Sequence, residues 1–159
     1  MAIYHLSASM IGRSAGRSAT ASAAYRAACV VRDERTGEVH DYGRKTGVEA
    51  TMILAPEGAP DWAHDRAALW NAVEAVETRK DAQVAREITV ALPAELGAAD
   101  RRALVEGWVA DQLVVQGMVA DIAFHAPHRE GDRHGGVEVR AGLVGHEDAG
   151  EDAEAPAEV

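Results

Sequence analysis

The sequence lacks several features that mark common classes of protein. Cys29 is the only cysteine among 159 residues, so no disulfide can form within the chain and a reducing compartment fits. No apolar run approaches the roughly 20 residues that span a bilayer. The N-terminus, MAIYHLSASMIGRSAG, has no long apolar core of the kind that a secretory signal needs. We therefore expect a soluble cytoplasmic protein with one domain, or one domain and a tail.

Positive charge is scarce as well, because 16 Lys and Arg stand against 26 Asp and Glu, and the formal net charge is −10. Phosphate repels such a chain at long range, which argues against a generic nucleic-acid binder. The balance is uneven: residues 1–50 carry seven basic and five acidic side chains, whereas residues 131–159 carry two and eight. The N-terminal third therefore keeps a basic site possible, beside the alternative of an ordinary solvated surface.

Hydrophobic periodicity predicts four strands that alternate with three helices. The strands are predicted at AIYHLSAS, VEATMILAP, VAREITVALP and MVADIAFHA, and the helices over TASAAYRAACVV, residues 63–78 and residues 98–116. The polar segment DERTGEVHDYGRKTG is typical of turns. A further strand is expected near the C-terminus, but GVEVRAGLVG is a weak candidate for it. The pattern favours a two-layer α/β or α+β domain and leaves the strand directions open.

Tyr25 and Glu87 are two candidates for chemistry. A tyrosine can act as a covalent nucleophile if it is activated or if a metal polarises its substrate, and Tyr25 lies near Arg17 and Arg26. The alternative is a core tyrosine on an amphipathic helix. Glu87 is predicted mid-strand, where a buried carboxylate needs a partner, so it could orient a nucleophile or a metal ligand. A solvated sheet face, or a pair with Arg86 or with a basic residue on a neighbouring strand, would explain it equally well.

A cluster of imidazoles and carboxylates near the C-terminus is the third candidate. His125, His128, Asp132 and His134 lie within a short stretch and could hold a divalent cation. A polar loop after a strand is the alternative, because no stricter metal-binding spacing is present. Neither GxGxxG nor the P-loop pattern occurs, so no glycine-rich phosphate loop is indicated.

Several blocks carry a resemblance to a known family. They are AIYHLSAS, RSAGRSATASAAYRA, DERTGEVHDY, DRAALWNAVEAVETRKDAQVAREITVALP and VADIAFHAPHREGD, in that order over about residues 1–133. Together they resemble the N-terminal relaxase domain of the MobA/MobL family (MobQ-type) of plasmid mobilisation proteins. The resemblance implies an α+β fold in which helices pack on an antiparallel sheet, as in nucleases with a His-hydrophobic-His motif.

The resemblance also implies a reaction and partners. Tyr25 matches the nucleophile that nicks one strand at a plasmid transfer origin, stays linked to the 5′ phosphate and leaves a free 3′ hydroxyl. Glu87 matches a glutamate that supports the nucleophile or the metal. His125 matches the first of three histidines that hold a divalent metal, Mg or Mn. The implied partners are single-stranded DNA at the origin and other relaxosome or coupling proteins, with no membrane.

Three arginines near the Tyr25 helix are candidates for holding the DNA backbone, namely Arg13, Arg17 and Arg26.

The likeness stops close to Arg133. Members of the family carry the other two metal histidines on the next strand, separated by one small or apolar residue, and no His-x-His occurs in this sequence. His128 and His134 remain possible ligands, but Gly136 stands two residues after His134. We therefore expect an incomplete relaxase-like domain over residues 1–133 that lacks the last metal-binding strand. Residues 134–159, which end in the low-complexity HEDAGEDAEAPAEV, are expected to form a disordered acidic tail.

A frame slip is one hypothesis for this break. The chain has 14 Arg and two Lys and is rich in Ala, Gly and Val, as proteins from GC-rich genes are. A slip in such a gene would yield a tail of this composition, and the coding DNA after Arg133 tests it. With one of three metal histidines, the chain is expected to nick DNA poorly or not at all. The alternatives are a non-catalytic fragment that binds origin DNA or a partner, and a remnant without function.

Overall fold

The computed structural model describes residues 6–93, 95–126 and 136–143, the last six of these by their backbone. The strands are β1 (Leu6–Gly12), β2 (Val30–Arg32), β3 (Val39–Asp41), β4 (Val48–Leu54), β5 (Gln83–Ala91), β6 (Met118–His125) and β7 (Gly136–Leu143). The helices are α1 (Ala19–Ala27), α2 (Arg66–Val76) and α3 (Ala98–Gln112). Short 3-10 turns lie at Arg13–Ala15, Asp61–His64 and Val114–Gln116. No helix in these ranges is both long and apolar enough to cross a membrane.

Five strands form one sheet in the order β1-β5-β7-β6-β4, and every neighbouring pair is antiparallel. The expected fold class, an antiparallel sheet with helices packed on it, is confirmed. All eight residues of β6 are buried, because helices cover this strand on both faces. The domain therefore has three layers rather than two.

The two faces of the sheet carry separate cores. The residues packed with α1 and α2 include Ile11, Ala23, Leu69, Trp70, Val73, Ala85 and Val119. The residues packed with α3 include Val105, Val109, Leu113, Met118, Ile122, Phe124 and Val137. Burial of apolar side chains, which stabilises by about 25 cal/mol per Å², holds the helices on each face against the sheet. The first core fixes α1 over the sheet, which positions the candidate site.

The strand β7 corrects one expectation. GVEVRAGL forms a strand, and it lies in the interior of the sheet between β5 and β6, so the last strand of the domain is not missing. In this place its backbone pairs with two neighbours, and neither β5 nor β6 is left with an open edge. The predicted boundary at 133/134 therefore assigns eight residues of the sheet to the tail. Residues 144–159, the remainder of that tail, lie outside the described part.

A small hairpin, β2–β3, replaces the turns that we predicted for DERTGEVHDYGRKTG. Val31 pairs with His40, and each strand has only three residues. The Asp33 carboxylate holds the connection, since it accepts the backbone N–H groups of Arg35 at 3.0 Å and Thr36 at 3.1 Å. The same carboxylate accepts the Thr20 hydroxyl at 2.7 Å, which fixes the hairpin to α1. Segments this short give no periodicity, so pattern analysis missed them.

The start of the chain also differs in detail from the prediction. β1 runs to Gly12, whereas we predicted a strand over residues 2–9, of which residues 2–5 lie outside the described part of the chain. Helix α1 begins where expected, because the Ser18 hydroxyl accepts the N–H of Ala21 at 3.1 Å as an N-cap. It ends at Ala28, which has a left-handed φ of 51°. The backbone N–H of Ala28 bonds to Ala24, so the last turn of α1 closes just beyond Tyr25.

Candidate functional site

Tyr25 lies in the last turn of α1 with 43% of its surface exposed. The buried face of α1 consists of small residues, Ala19, Thr20, Ala23 and Ala24, which bring the helix close to the sheet. Tyr25 does not belong to this buried face. The interpretation of Tyr25 as a core residue is therefore excluded, and a large part of the residue is open to solvent.

The ring of Tyr25 is held by three neighbours. The Lys45 ammonium lies 3.8 Å from the ring centroid and donates a 2.9 Å hydrogen bond to the Tyr25 carbonyl. The Arg26 guanidinium carbon lies 5.2 Å from the same centroid. Tyr42 meets the ring edge-on, at 5.2 Å between centroids and 88° between planes. Such cation–π and edge-to-face contacts each contribute about 0.5–1.5 kcal/mol, so together they orient the phenol.

Glu87 is buried on the face of β5 that α1 covers. One carboxylate oxygen accepts Arg26 Nη2 at 2.9 Å and lies 3.8 Å from Arg17 Nη2, and the other accepts the Ser22 hydroxyl at 3.3 Å. Glu87 is therefore not on a solvated face, and it is paired with basic residues, two of which come from α1 and the segment before it. Two arginines and a hydroxyl compensate for the burial of its charge.

Arg26 joins the two candidate residues. Its guanidinium contacts the Glu87 carboxylate and also lies against the Tyr25 ring. Glu87 therefore reaches Tyr25 through Arg26. The chain segments involved are far apart, because 61 residues separate Arg26 from Glu87.

The three arginines predicted to contact DNA occupy different environments. The Arg17 side chain is 40% exposed and that of Arg26 is 25% exposed, both beside Glu87. The Arg13 side chain is only 10% exposed, and it donates to the carboxylate of Glu74 and to the backbone carbonyl of Glu77. Glu74 also accepts the N–H of Ala19 at 2.5 Å, so this cluster ties α2 to the start of α1. The position of Arg13 favours a structural role.

His125 is the last residue of β6 and is buried. It lies in the wall of an open cavity of about 420 Å³, which Glu49, Arg101, Arg102 and Gly136 also line. In the register of the sheet, His125 is opposite Gly136 on β7. A Cβ added to Gly136 would meet no atom within 4 Å, so a side chain has room at this position.

The described residues do not provide a three-histidine metal centre. In the ranges described, no group of three His, Cys, Asp or Glu side chains could hold an ion. On β7, position 136 is opposite His125 and position 138, next on the same face of the strand, is opposite Ala123; they hold Gly136 and Glu138. His128, Asp132 and His134 lie outside the described residues. The donor set that is described therefore does not fit the metal that the family resemblance implies.

Asp121 lies on the same face of β6 as His125 but serves the fold. Its carboxylate accepts a bidentate pair from Arg66 at 2.8–3.0 Å and the indole N–H of Trp70 at 2.9 Å. Burial by itself would lower the pKa of Arg66, but the hydrogen bond and the charge of Asp121 outweigh it and raise that pKa. This pair locks α2 onto β6 and leaves Asp121 committed to that contact.

Asp33 carries a shifted acidity. Burial would raise the pKa of its carboxyl, but the hydrogen bonds from Thr20, Thr36 and Arg35 and the positive charge of Arg35 together lower that pKa below its ordinary value. The carboxylate that anchors the hairpin is therefore stabilised in its charged form.

Sequence reasoning missed the part played by the hairpin in this site. Tyr42 and Lys45 come from the segment that follows β3, and both contact Tyr25. The signal present in the sequence was the run YGRK at residues 42–45, an aromatic residue followed by two basic ones in the basic N-terminal third. Nothing in the pattern indicated that this run returns to α1.

Comparisons with known proteins agree with this architecture. The family model described as MobA/MobL family matches residues 17–139. The chain is 52% identical over 133 residues to the mobilization protein MobL of Acidithiobacillus ferridurans, covering 84% of this chain and 34% of that protein. It is 46% identical over 125 residues to a probable mobilization protein MobA of Bifidobacterium longum, covering 79% of this chain and 22% of that protein.

A structural comparison gives the same result. A solved structure described as the molecular basis of vancomycin resistance transfer in Staphylococcus aureus superposes with a TM-score of 0.82 and 33% identity. It covers 91% of this chain and 72% of that one. The chain spans about a third or less of the length of the curated relatives named above. By family model, sequence and fold, the chain belongs to the MobA/MobL family.

Proposed function

We propose that this chain is the relaxase-type domain of a plasmid mobilisation protein and recognises single-stranded DNA at a transfer origin in the cytoplasm. Membership in the MobA/MobL family supports this role. The observation that carries the proposal is the contact of Arg26 with both the Tyr25 ring and the Glu87 carboxylate. A surface tyrosine held by a buried ion pair is an arrangement suited to a positioned nucleophile.

The reaction assigned to this site is transfer of a phosphodiester to tyrosine. The Tyr25 oxygen forms a bond to phosphorus as the bond from phosphorus to the 3′ oxygen breaks. The 5′ phosphate then remains on Tyr25, the phenolic proton passes to solvent, and the 3′ oxygen takes up a proton. Glu87 acts as a positioning residue, since it holds Arg26 against the Tyr25 ring. Arg17 and Arg26 supply positive charge for the DNA backbone.

We further propose that nicking by this chain is severely reduced. The family resemblance implies Mg or Mn bound by three histidines, and the two β7 positions beside His125 hold Gly136 and Glu138. One imidazole binds a hard divalent ion weakly, because such ions prefer several oxygen ligands or a full ligand set. His128, Asp132 and His134 are the replacement ligands that efficient cleavage would require.

The test is formation of a covalent protein–DNA adduct. Overlapping single-stranded oligonucleotides that tile the DNA flanking the gene are incubated with the chain and Mn²⁺ or Mg²⁺, and adducts are resolved on denaturing gels. We expect little or no adduct from the chain and none from Y25F. Efficient Tyr25-dependent adduct formation would contradict the proposed impairment while supporting the reaction. Efficient adduct formation by Y25F would overturn the assignment of Tyr25.

A non-catalytic role is the second candidate, in which the chain binds origin DNA or another relaxosome or coupling protein. The cationic surface around Tyr25, which includes Arg17, Arg26 and Lys45, favours DNA over a protein partner. Binding to origin single strands that weakens steeply with salt, without any adduct, would support this role. If the chain binds no single-stranded DNA at low salt, the remaining interpretation is that it is a remnant without function.

A further inference from the structure

We propose that Tyr42 and Lys45 form a single-stranded DNA site beside Tyr25, in which a base stacks on Tyr42 and the adjoining phosphate pairs with Lys45. This inference rests on the proposed function, because it assigns hairpin residues to the DNA that function requires. The observation behind it is the convergence of two partly exposed aromatic rings and a lysine from two separate segments of the chain.

The aromatic component is accessible. Tyr42 is 36% exposed and Tyr25 is 43% exposed, although large aromatic side chains are usually well buried. Their rings are nearly perpendicular, at 88°, so two differently oriented rings lie side by side at the surface. Every base has a π-face, so an exposed ring binds single strands with little regard to sequence.

The cations of the proposed site lie close to the two aromatic rings. Lys45 is half-buried and its ammonium sits 3.8 Å from the Tyr25 centroid, while the neighbouring Arg44 is exposed. Arg26 approaches the same ring from α1. Phosphates of an extended strand need cations nearby, and Lys45 and Arg26 place two of them against the Tyr25 ring, next to Tyr42.

The site is held in place before any ligand arrives. The N–H of Tyr42 donates to the Cys29 carbonyl at 3.1 Å, and the N–H of Lys45 donates to the Tyr42 carbonyl at 2.9 Å. At the far end of the hairpin, Asn71 of α2 accepts the N–H of Glu34 at 2.9 Å and donates to the Arg32 carbonyl at 2.8 Å. A rigid loop loses little conformational entropy on binding, so these bonds favour affinity.

The inference is tested by fluorescence anisotropy with a labelled oligothymidylate and with a duplex of the same length. We expect Y42L to bind the single strand roughly tenfold more weakly, because stacking is lost, whereas Y42F retains the affinity. K45Q should lower the slope of log Kd against log salt by about 0.7, and K45R should preserve it. The control is W108L, which replaces an aromatic residue of similar exposure on α3, across the sheet from α1, and should bind like the unmodified chain.

The outcomes separate this inference from the proposed function. If the unmodified chain binds single strands but Y42L and K45Q match it, this site is wrong and the proposed function stands. Equal losses in Y42F and Y42L would also contradict stacking. If the unmodified chain binds no single-stranded DNA at low salt, both proposals fail. Circular dichroism and urea unfolding show whether each variant is folded, and the salt slope of K45Q against that of K45R tests the site where Y42L unfolds.

Discussion

At the scale of the residue, Arg26 explains why a glutamate deep in the sheet belongs to a site at the surface. It neutralises Glu87 at 2.9 Å and lies against the Tyr25 ring, so the buried charge and the exposed phenol share one partner. Glu87 could be selected from the sequence because a mid-strand carboxylate needs compensation. Its partners could not, because Ser22 and Arg26 lie more than 60 residues away along the chain.

The buried contact of Glu87 with Arg26 should matter more for stability than its more exposed contact with Arg17. We expect E87Q to lower the free energy of unfolding by about 1–3 kcal/mol, because it leaves Arg26 without its buried counter-charge. R17Q removes a 3.8 Å, partly exposed contact and should cost less than about 1 kcal/mol. Urea denaturation of both variants measures the difference, and equal losses would contradict the account of Glu87.

Asp33 should make the free energy of unfolding depend on pH in the acidic range. Its folded-state pKa is lowered, so its charged form contributes stability above the unfolded value of about 3.9 and loses that contribution as the pH falls through the folded pKa. We expect D33N to be destabilised by about 1–2 kcal/mol near pH 7. The difference in the free energy of unfolding between D33N and the unmodified chain, measured by urea titration, should become smaller below about pH 4. A difference in the free energy of unfolding that stays constant with pH would show that the charge of Asp33 does not contribute to stability.

At the scale of the element, strong periodicity was a reliable guide and short or Gly-containing segments were not. The predicted strands and helices correspond to β1, β4, β5, β6, α1, α2 and α3, with ends that shift by several residues. The hairpin β2–β3 was missed because its strands are too short to show alternation. The segment of β7 was only a weak candidate for a strand, and its two glycines together with Glu138 and Arg140 lower its strand propensity. Pairing with two neighbours overrides that propensity.

The insertion of β7 into the sheet can be checked at Val137, which is 1% exposed in the core under α3. We expect Val137→Ala to lower the free energy of unfolding by about 1–3 kcal/mol through lost burial and a cavity. Val115→Ala, on an exposed residue after α3, should change it by less than about 0.5 kcal/mol. Chemical denaturation compares them. No effect at Val137 would mean that the segment after residue 135 behaves as the tail first expected.

At the scale of the whole molecule, the acidity that argued against DNA is segregated from the candidate site. The basic side chains around Tyr25 all come from residues 17–45, in the third of the chain that carries a positive balance. The sequence could assign Tyr25 and Glu87 to one site only through the family resemblance. The layer arrangement and the role of the hairpin follow from contacts between distant segments, which local patterns do not encode.

The central claim is that a positioned tyrosine remains while two β7 positions beside His125 lack metal-binding histidines. It predicts that the double variant G136H/E138H gains function, because the backbone register already aligns position 136 with His125 and leaves space for a side chain. The single variant E138H is the matched control, since it supplies only one of the two imidazoles and, unlike G136H, creates no His-x-His with His134.

The decisive measurement is Tyr25-linked adduct formation on single-stranded origin DNA with Mn²⁺, compared between the chain and G136H/E138H, with Mn²⁺ affinity measured by calorimetry. We predict that the double variant alone binds Mn²⁺ more tightly and forms the adduct. Adding Y25F to it should abolish or strongly reduce adduct formation, and adding His125→Ala should abolish or strongly reduce Mn²⁺ binding. Efficient adduct formation by the unmodified chain, or a folded double variant that gains neither property, would contradict the account.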